Sequence, residues 1–142
     1  LACFLTLTSQ GIPFLHAGQE MMRSKGGEEN SYNRPDSVNK IYWDLKIENA
    51  AMVDFVKRLI SLRTAHPMLR MKSAEEIYAN IKFLSYDLQI PVAPKCLAYL
   101  IERGATGDSW KAVLVLVNPR RDTIKFILPE DKWKLYYPAG RQ

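Results

Sequence analysis

Cysteine, histidine and long hydrophobic runs are scarce in this 142-residue chain, and each scarcity removes a class of protein. The two cysteines, Cys3 and Cys96, have no metal-ligand spacing and no pair of histidines beside them, which disfavours a zinc site and a disulfide framework. The apolar opening, residues 1–7, is too short to cross a bilayer and lacks the positive residues that accompany a signal-peptide core. We therefore expect no bound metal, no cofactor and no membrane partner.

Positive charge is in mild excess but is not concentrated. The chain has 20 Lys and Arg residues against 15 Asp and Glu residues, and the net charge of +5 is spread along it. The basic doublet of the second half, Arg120 with Arg121, follows Asn118 and Pro119, which is typical of a solvated turn. A nucleic-acid-binding protein gathers Lys and Arg on one face, so we expect no nucleic-acid partner.

The motifs of the common nucleophilic and nucleotide-binding enzymes are also missing. No Ser stands in a Gly-flanked elbow, and no Gly-rich segment has the pattern that cradles a phosphate. His16 and His66 are far apart in sequence, and His16 either lines a pocket at the end of a strand or is a satisfied core histidine. Glu20 lies at the expected rim of the same strand, where a catalytic acid could stand, but its position alone assigns it no role.

The first half of the chain predicts a strand, a long loop and a helix. Residues 12–15 form a short apolar run bounded by Gly and Pro, which is typical of a buried strand in a parallel sheet. Residues 19–44 have no periodicity and many turn formers, which predicts a long loop, and the interspersed Tyr32, Tyr42 and Trp43 indicate that it is ordered. Asn49 can cap a helix by accepting from backbone N–H groups, and apolar residues then recur at three- and four-residue steps until His66 precedes a proline.

The second half has the period of two that is typical of strands. Ile77, Ala79, Ile81 and Phe83 share one face of a predicted half-buried strand. Further strand-length segments, separated by turn signals, are residues 96–101, 112–117, 123–128 and 133–137. The segment 112–117 is apolar on both faces, so we expect it to be central. The pattern predicts an antiparallel sandwich or partial barrel, and a boundary with the first unit near residues 66–71.

Three runs in the first half carry a family resemblance. They are residues 11–20 (GIPFLHAGQE), 23–27 (RSKGG) and 29–39 (ENSYNRPDSVN). This set closely resembles the pullulanases, which are debranching members of the α-amylase family of glycoside hydrolases. The resemblance implies that the first run is the last strand of the catalytic eight-stranded β/α barrel and that the loop after it lines the substrate cleft. It also implies a last barrel helix at residues 49–65 and an antiparallel β-sandwich from about Met71 onward.

The resemblance implies an α+β fold of two units. Residues 1–68 would be the end of the catalytic barrel, and residues 69–142 an antiparallel β-sandwich domain. The sequence opens on Leu1 rather than Met and in mid-pattern, which predicts a fragment of a longer protein. In the family the nucleophile, the general acid and the third essential carboxylate lie on earlier barrel strands, so Glu20 is none of them. We expect the parent to hydrolyse α-1,6-glucosidic branch linkages in pullulan, glycogen or starch-derived dextrins by a retaining mechanism, and this chain alone to be inactive.

The expected substrate contacts lie in the loop. Asn30, Tyr32, Asn33, Asp36 and Asn39 are the residues that we expect to touch a branched α-glucan in the intact enzyme. Asn and Asp side chains can bind vicinal hydroxyls, and a Tyr ring can cover the apolar face of a glucose unit. The alternative is that the Asn and Asp residues only make turns around the loop proline.

Two other functions fit the second half. Trp110, Trp133, Tyr136 and Tyr137 could supply the stacking surface of a non-catalytic carbohydrate-binding module, unless these rings fill the interior. A purely structural domain that braces the barrel is the other alternative. Residues 1–20 lack neighbouring barrel strands, so we expect them either to pair with a second copy of the chain, as a homodimer, or to abandon the strand conformation.

Overall fold

The computed structural model describes residues 1–136 of the chain. Within them the helices are Ala2–Thr8 (α1), Asp36–Asn39 (α2), Leu45–Glu48 (α3), Ala50–Ala65 (α4) and Ala74–Asn80 (α5), and the strands are Ile81–Phe83 (β1), Leu97–Glu102 (β2) and Ala112–Val117 (β3). Short 3₁₀ turns lie at Gln19–Met21, Lys25–Gly27 and Pro67–Arg70. The fold is a small α+β fold, and none of the helices in this part of the chain has the length and apolar character to cross a membrane.

The longest helix, α4, forms because its apolar residues share one face. Val53, Val56, Leu59 and Leu62 are all buried and follow one another at steps of three residues. Val56 and Leu59 pack against Cys3 and Leu7 of α1. The helix ends at Ala65 because the residue before a proline avoids the α conformation, as the sequence predicts.

The beginning of α4 differs from the prediction that the Asn49 side chain accepts hydrogen bonds from the first turn. Its Nδ2 instead donates to Met21 O and Leu45 O, both at 3.2 Å. The physical reason is that α3 runs directly into α4: Asn49 N already ends α3 by donating to Leu45 O at 2.9 Å, so the side chain lies at the end of α3 and not ahead of a free first turn. Asn49 consequently joins α4 to the 3₁₀ turn at the start of the loop.

The sheet is antiparallel with the order β1-β2-β3. Tyr99 of β2 lies opposite Phe83 of β1 and Val115 of β3, and Ile101 lies opposite Ile81 and Val113. These side chains share one face of the sheet because strand residues two apart point the same way. That face supplies one side of the main hydrophobic core.

The predicted strand over residues 77–83 is wrong at its first part, where α5 extends to Asn80. Ser73 caps this helix, since its Oγ accepts from Glu76 N at 3.2 Å. The Glu76 carboxylate in turn accepts from Lys72 N at 2.9 Å. A capped first turn therefore overrides the alternating apolar pattern, and only Ile81–Phe83 pairs as a strand.

The segment 96–101 is confirmed as β2 with a shift of one residue, and residues 112–117 are confirmed as β3. The expectation that β3 is central is wrong for the described residues, since β3 pairs with β2 alone and β2 occupies the centre. The predicted strand 123–128 is also wrong, although Ile124 and Phe126 are half-buried between exposed neighbours. Residues 133–136 form no strand either, and Tyr137 lies outside the described residues.

The segment 12–15 is not the buried strand that the sequence predicts. Ile12 is 98% exposed and Phe14 is 84% exposed, and neither belongs to a strand. A parallel strand needs hydrogen-bonded neighbours, and none of the described strands pairs with it. Of the two outcomes expected for residues 1–20, the described chain shows the abandoned strand conformation.

The main core joins the two predicted units. Leu62 of α4 and the three apolar residues of the following turn, Met68, Leu69 and Met71, pack against the sheet residues Tyr99, Ile101, Val115 and Val117. The barrel-end helix of the prediction and the β unit thus share one continuous hydrophobic cluster. Burial raises the pKa of the Tyr99 hydroxyl, which contacts Thr8 Oγ1 at 3.1 Å and so links α1 to the same cluster.

Candidate functional site

The predicted substrate loop begins at a glycine turn that an arginine covers. Gly18 has a φ of +90°, and its carbonyl accepts from Met21 N at 3.1 Å and from Arg23 N at 3.0 Å. The Arg23 side chain lies so close that a Cβ on Gly18 would stand 2.8 Å from Arg23 Cδ. Its guanidinium donates to Ala17 O at 3.2 Å and to the Asn39 carbonyl. Arg23 therefore joins the start of the loop to its end.

The centre of the loop is organised by Asn39. Its Nδ2 donates to Ser31 O at 2.7 Å and to Arg34 O at 2.8 Å. Its Oδ1 accepts from Lys25 Nζ at 3.3 Å, and the same ammonium donates to Ser31 Oγ at 2.6 Å. These five residues, Arg23, Lys25, Ser31, Arg34 and Asn39, are called the Asn39 network below.

Two further contacts stabilise the loop, one between Arg34 and Glu28 and one between Tyr42 and Ser37. Arg34 forms a bidentate pair with Glu28, with its Nε 3.1 Å from one carboxylate oxygen and its terminal nitrogen 3.2 Å from the other. The Tyr42 hydroxyl donates to Ser37 O at 2.8 Å, and Lys40 Nζ lies 4.5 Å from the centre of the Tyr42 ring. Residues 19–44 are accordingly an ordered loop, as the interspersed aromatic residues predict.

The predicted substrate contacts divide into two kinds. Asn30, Asn33 and Asp36 are exposed, and Tyr32 is 87% exposed, so these side chains project away from the loop. Asp36 is also the first residue of α2, which is the turn-making role that the alternative interpretation gives it. Asn39 differs from the others because it is half-buried and its side-chain amide is used by the loop itself.

A cavity of about 330 Å³ lies between the loop and the start of α3. It is lined by the cations Arg23, Lys25 and Lys40, the carboxylates Asp44 and Glu48, the hydroxyls of Ser24, Ser37 and Tyr42, and by Gly26, Val38 and Leu45. The opposite charges nearly balance, which suits a neutral polar ligand better than an ion. None of the predicted contact residues lines this cavity, so the structure does not bring them together with it.

A second polar centre, which sequence reasoning missed, lies at the junction between α4 and the sheet. Asp108 is buried in the turn between β2 and β3, and its Oδ1 accepts from His66 Nδ1 at 2.8 Å and from Trp110 N at 2.9 Å. Its Oδ2 accepts from Met68 N at 3.2 Å. The His66 ring lies against the Trp110 ring with a centroid separation of 3.7 Å. We call His66, Met68, Asp108 and Trp110 the junction cluster.

The electrostatics of the junction cluster keep Asp108 ionised. Burial by itself would raise the pKa of this carboxyl, but the hydrogen bonds from His66, Trp110 N and Met68 N outweigh it and hold the pKa below its usual range. His66 Nδ1 carries a proton here, since its partner is a carboxylate that only accepts. An Asp in a Gly-containing turn is a common surface pattern, so the sequence offers no signal that separates Asp108 from a solvated residue.

The remaining candidates of the sequence are placed away from any reactive arrangement. His16 is exposed, so it is not a core histidine. Trp110 packs against the main core and Trp133 is half-buried, with its Nε1 donating to Pro129 O at 2.9 Å; this partial burial disfavours a free stacking surface. Tyr136 is half exposed and meets the Trp110 ring edge-on at 5.6 Å, while Tyr137 lies outside the described residues. In residues 1–136 no cluster of three or more His, Cys, Asp or Glu side chains could hold a metal ion.

Comparison with known proteins identifies the family. Residues 81–139 match the family model described as the pullulanase all-beta domain. The chain is 37% identical over 131 residues to the pullulanase of Bacillus subtilis strain 168, and 31% identical over 139 residues to the isoamylase of a Flavobacterium species. The chain is homologous to one segment of the pullulanase-type debranching enzymes. These matches cover 92% and 88% of this chain but only 17% and 18% of the relatives.

The solved pullulanase structures agree with this assignment. A mutant pullulanase from Paenibacillus barengoltzii, crystallised with maltotetraose, superimposes with a TM-score of 0.80 at 42% identity. The alignment covers 91% of this chain and 19% of that enzyme. The chain therefore spans about one fifth of the length of the pullulanase that it resembles, and its described fold is that of a pullulanase segment.

Proposed function

We propose that this chain is the C-terminal part of a retaining glycoside hydrolase that cleaves α-1,6-glucosidic branch linkages in pullulan, glycogen or starch-derived dextrins. In this proposal residues 1–68 supply the last strand, the substrate-side loop and the last helix of a catalytic β/α barrel, and residues 12–15 adopt the strand conformation only beside the neighbouring barrel strands of the intact enzyme. Residues 69–142 form an antiparallel β-sandwich domain packed against that helix. The chain itself lacks the catalytic carboxylates, because in this family they lie on earlier barrel strands.

The observation that carries the proposal is the match to the Paenibacillus pullulanase crystallised with maltotetraose, which includes both the loop half and the β half of the chain. Sites in β/α barrels lie at the carboxyl ends of the strands, where the connecting loops gather. The loop of this chain is ordered by its own hydrogen bonds, and it presents Tyr32 and Asn33 to solvent. An exposed aromatic ring beside exposed amides is the chemistry that recognises a sugar.

The proposed inactivity of the isolated chain has a direct test. Retaining hydrolysis needs one carboxyl group as nucleophile and a second as general acid on either side of the scissile bond. Incubation of the purified chain with pullulan is expected to release no reducing sugar above the buffer blank. Release that scales with the concentration of the chain would contradict the proposal.

The positive test is a chimera. The matching segment of the Paenibacillus enzyme is replaced by this chain, and the product is assayed for release of reducing ends from pullulan. We expect a folded chimera to hydrolyse pullulan and a deletion of the same segment to be inactive. A chimera that unfolds cooperatively on heating but has no activity on pullulan would refute the assignment.

The loop contacts are tested in the same chimera by a matched pair of tyrosines. Tyr32 is 87% exposed on the loop, and Tyr86 is 80% exposed in the turn after β1, away from it. We expect Tyr32→Ala to raise KM for pullulan severalfold, because the ring no longer covers a glucose unit, and Tyr86→Ala to leave KM unchanged. Equal KM values for the two variants would remove Tyr32 from the proposed contacts.

A further inference from the structure

Among the predicted contact residues, Asn39 has both of its side-chain N–H donors used by the loop. An Asn side chain offers two N–H donors and one carbonyl oxygen with two lone pairs. In Asn39 both donors are used by carbonyls of the loop tip, Ser31 O and Arg34 O, and the acceptor faces Lys25 Nζ. Its backbone N donates to Pro35 O at 3.1 Å. A glucan hydroxyl could therefore accept a hydrogen bond from the Asn39 amide only by displacing one that the loop already makes.

The contacts around Asn39 hold one segment in particular. The carbonyls that Nδ2 binds belong to Ser31 and Arg34, the two residues that flank Tyr32 and Asn33. Lys25 holds the same segment from the other side through Ser31 Oγ. The short tip from Ser31 to Arg34 is therefore held at both ends from the interior of the loop, and its two middle residues are exposed.

We propose that Asn39, with Lys25, is a positioning residue that pre-orders the loop tip for an α-linked glucan, and that Tyr32 and Asn33 at this tip make the contacts. The inference rests on the proposed function and assigns a different role to Asn39 than the direct contact expected from the sequence. A tip that is ordered before binding loses less conformational entropy when the sugar arrives. The network thus acts on affinity through the tip and not through a bond to the substrate.

The ordering role is tested without any sugar. Asn39→Asp keeps the shape of the side chain but places a carboxylate oxygen where Nδ2 now faces two carbonyls. Asn30→Asp makes the same chemical change at an exposed position and serves as the control. Amide hydrogen exchange is measured by mass spectrometry on peptides from residues 28–40 and from α4. We expect at least tenfold faster exchange in the loop of Asn39→Asp alone, with α4 unchanged. Unchanged loop exchange in Asn39→Asp would overturn the proposal.

A titration with sugar distinguishes a positioning role of Asn39 from a direct contact between Asn39 and the glucan. Maltotetraose is titrated into the whole chain at millimolar concentrations and followed by NMR chemical shifts, for the wild type, Asn39→Asp, Lys25→Met and the double variant. If both residues act only by ordering the tip, each single variant weakens binding at least threefold and the double variant is no weaker than the single ones. Weak binding in Asn39→Asp with wild-type binding in Lys25→Met would mean that Asn39 touches the sugar, which overturns the proposal.

Failure of the proposed function has a different signature. If the wild-type chain gives no shift with maltotetraose, and the chimera is also inactive on pullulan, the glucan assignment fails. The exchange experiment then decides by itself whether Asn39 orders the loop tip. The two results can therefore be told apart.

Discussion

Replacement of Asp108 by Ala is expected to loosen the packing of α4 on the sheet. The carboxylate accepts from His66 Nδ1, Trp110 N and Met68 N, at 2.8, 2.9 and 3.2 Å. His66 and Met68 stand on either side of the proline that ends α4, whereas Asp108 belongs to the turn between β2 and β3. One side chain therefore holds the end of the helix and the beginning of the following turn against the β unit.

The magnitude follows from what the substitution leaves behind. Met68 is fully buried, so its N–H would lose its acceptor away from water, at a cost of about 1–3 kcal/mol. Asp108→Ala leaves three donors without this acceptor, two of them on the buried residues His66 and Met68, so we expect a total loss of about 3–5 kcal/mol. Asp108→Asn keeps one acceptor oxygen but turns an amide N–H toward a donor, so its loss should be smaller, about 1–3 kcal/mol.

Urea unfolding provides the assay, and Trp110 provides the signal because its ring lies against His66. Asp131→Ala is the matched control, since Asp131 pairs with Lys111 at 3.0 Å on the surface. Surface ion pairs contribute little to stability, so we expect the urea midpoint of this control to stay at the wild-type value. The reasoning would be refuted if Asp108→Ala and Asp131→Ala unfolded at the same midpoint.

The pH dependence of the same variant checks the electrostatic argument. The pKa of Asp108 is lowered in the folded chain, so its contribution to stability is present above the ordinary Asp pKa of about 3.9 and disappears as the pH falls through the folded value. We expect the free energy of unfolding of the wild type to decrease below about pH 4 more steeply than that of Asp108→Asn. Parallel curves for the two proteins would show that this carboxylate is not stabilised by folding.

Three further features of the fold are tested by substitution. Arg63 is buried, and its guanidinium donates to Leu7 O, Ser9 O and Gly11 O at 3.0, 2.6 and 2.5 Å. The single ammonium group of Arg63→Lys cannot reach all of these carbonyls, so we expect faster amide exchange in residues 1–12 and a lower urea midpoint. An alanine in the left-handed conformation costs about 1–2 kcal/mol of folding free energy, and Gly11→Ala, at a φ of +83° with open space around it, should cost only that amount. Gly18→Ala should cost more because its Cβ meets Arg23. Equal losses of stability in urea unfolding would argue against this contact. Ser73→Ala removes the cap of α5 and should destabilise by about 1 kcal/mol in the same assay, and no loss would mean that the observed Oγ contact to Glu76 N contributes nothing.

Local sequence patterns predicted the three longer elements. The helix α4 was predictable because one buried apolar face repeats at a fixed interval, and β2 and β3 because apolar segments of strand length lie between turn signals. The same method failed over residues 77–80, where an alternating pattern belongs to α5. Ahead of these residues the hydrogen bonds of Ser73 and Glu76 favour the start of a helix more strongly than the alternating apolar pattern favours a strand.

The loop shows a second limit of prediction. Its composition predicted order and polar chemistry, and four of the expected contact residues are exposed as a binding role requires. Asn39 has the same residue type as Asn30 and Asn33 but is held inside the loop by Ser31, Arg34 and Lys25. Residue type states which hydrogen bonds are available, and only the folded chain decides which partners take them.

The amino-acid sequence by itself determined the resemblance to a segment of the pullulanase-type enzymes, the long helix and the two longer strands, because these depend on runs of neighbouring residues. Tertiary structure alone decided that Asp108 is buried beneath His66 and that β3 lies at the edge of the described sheet. It also decided that residues 12–15 are exposed. Each of these depends on groups that are distant in sequence, and burial and hydrogen-bond partners are set only when those groups meet.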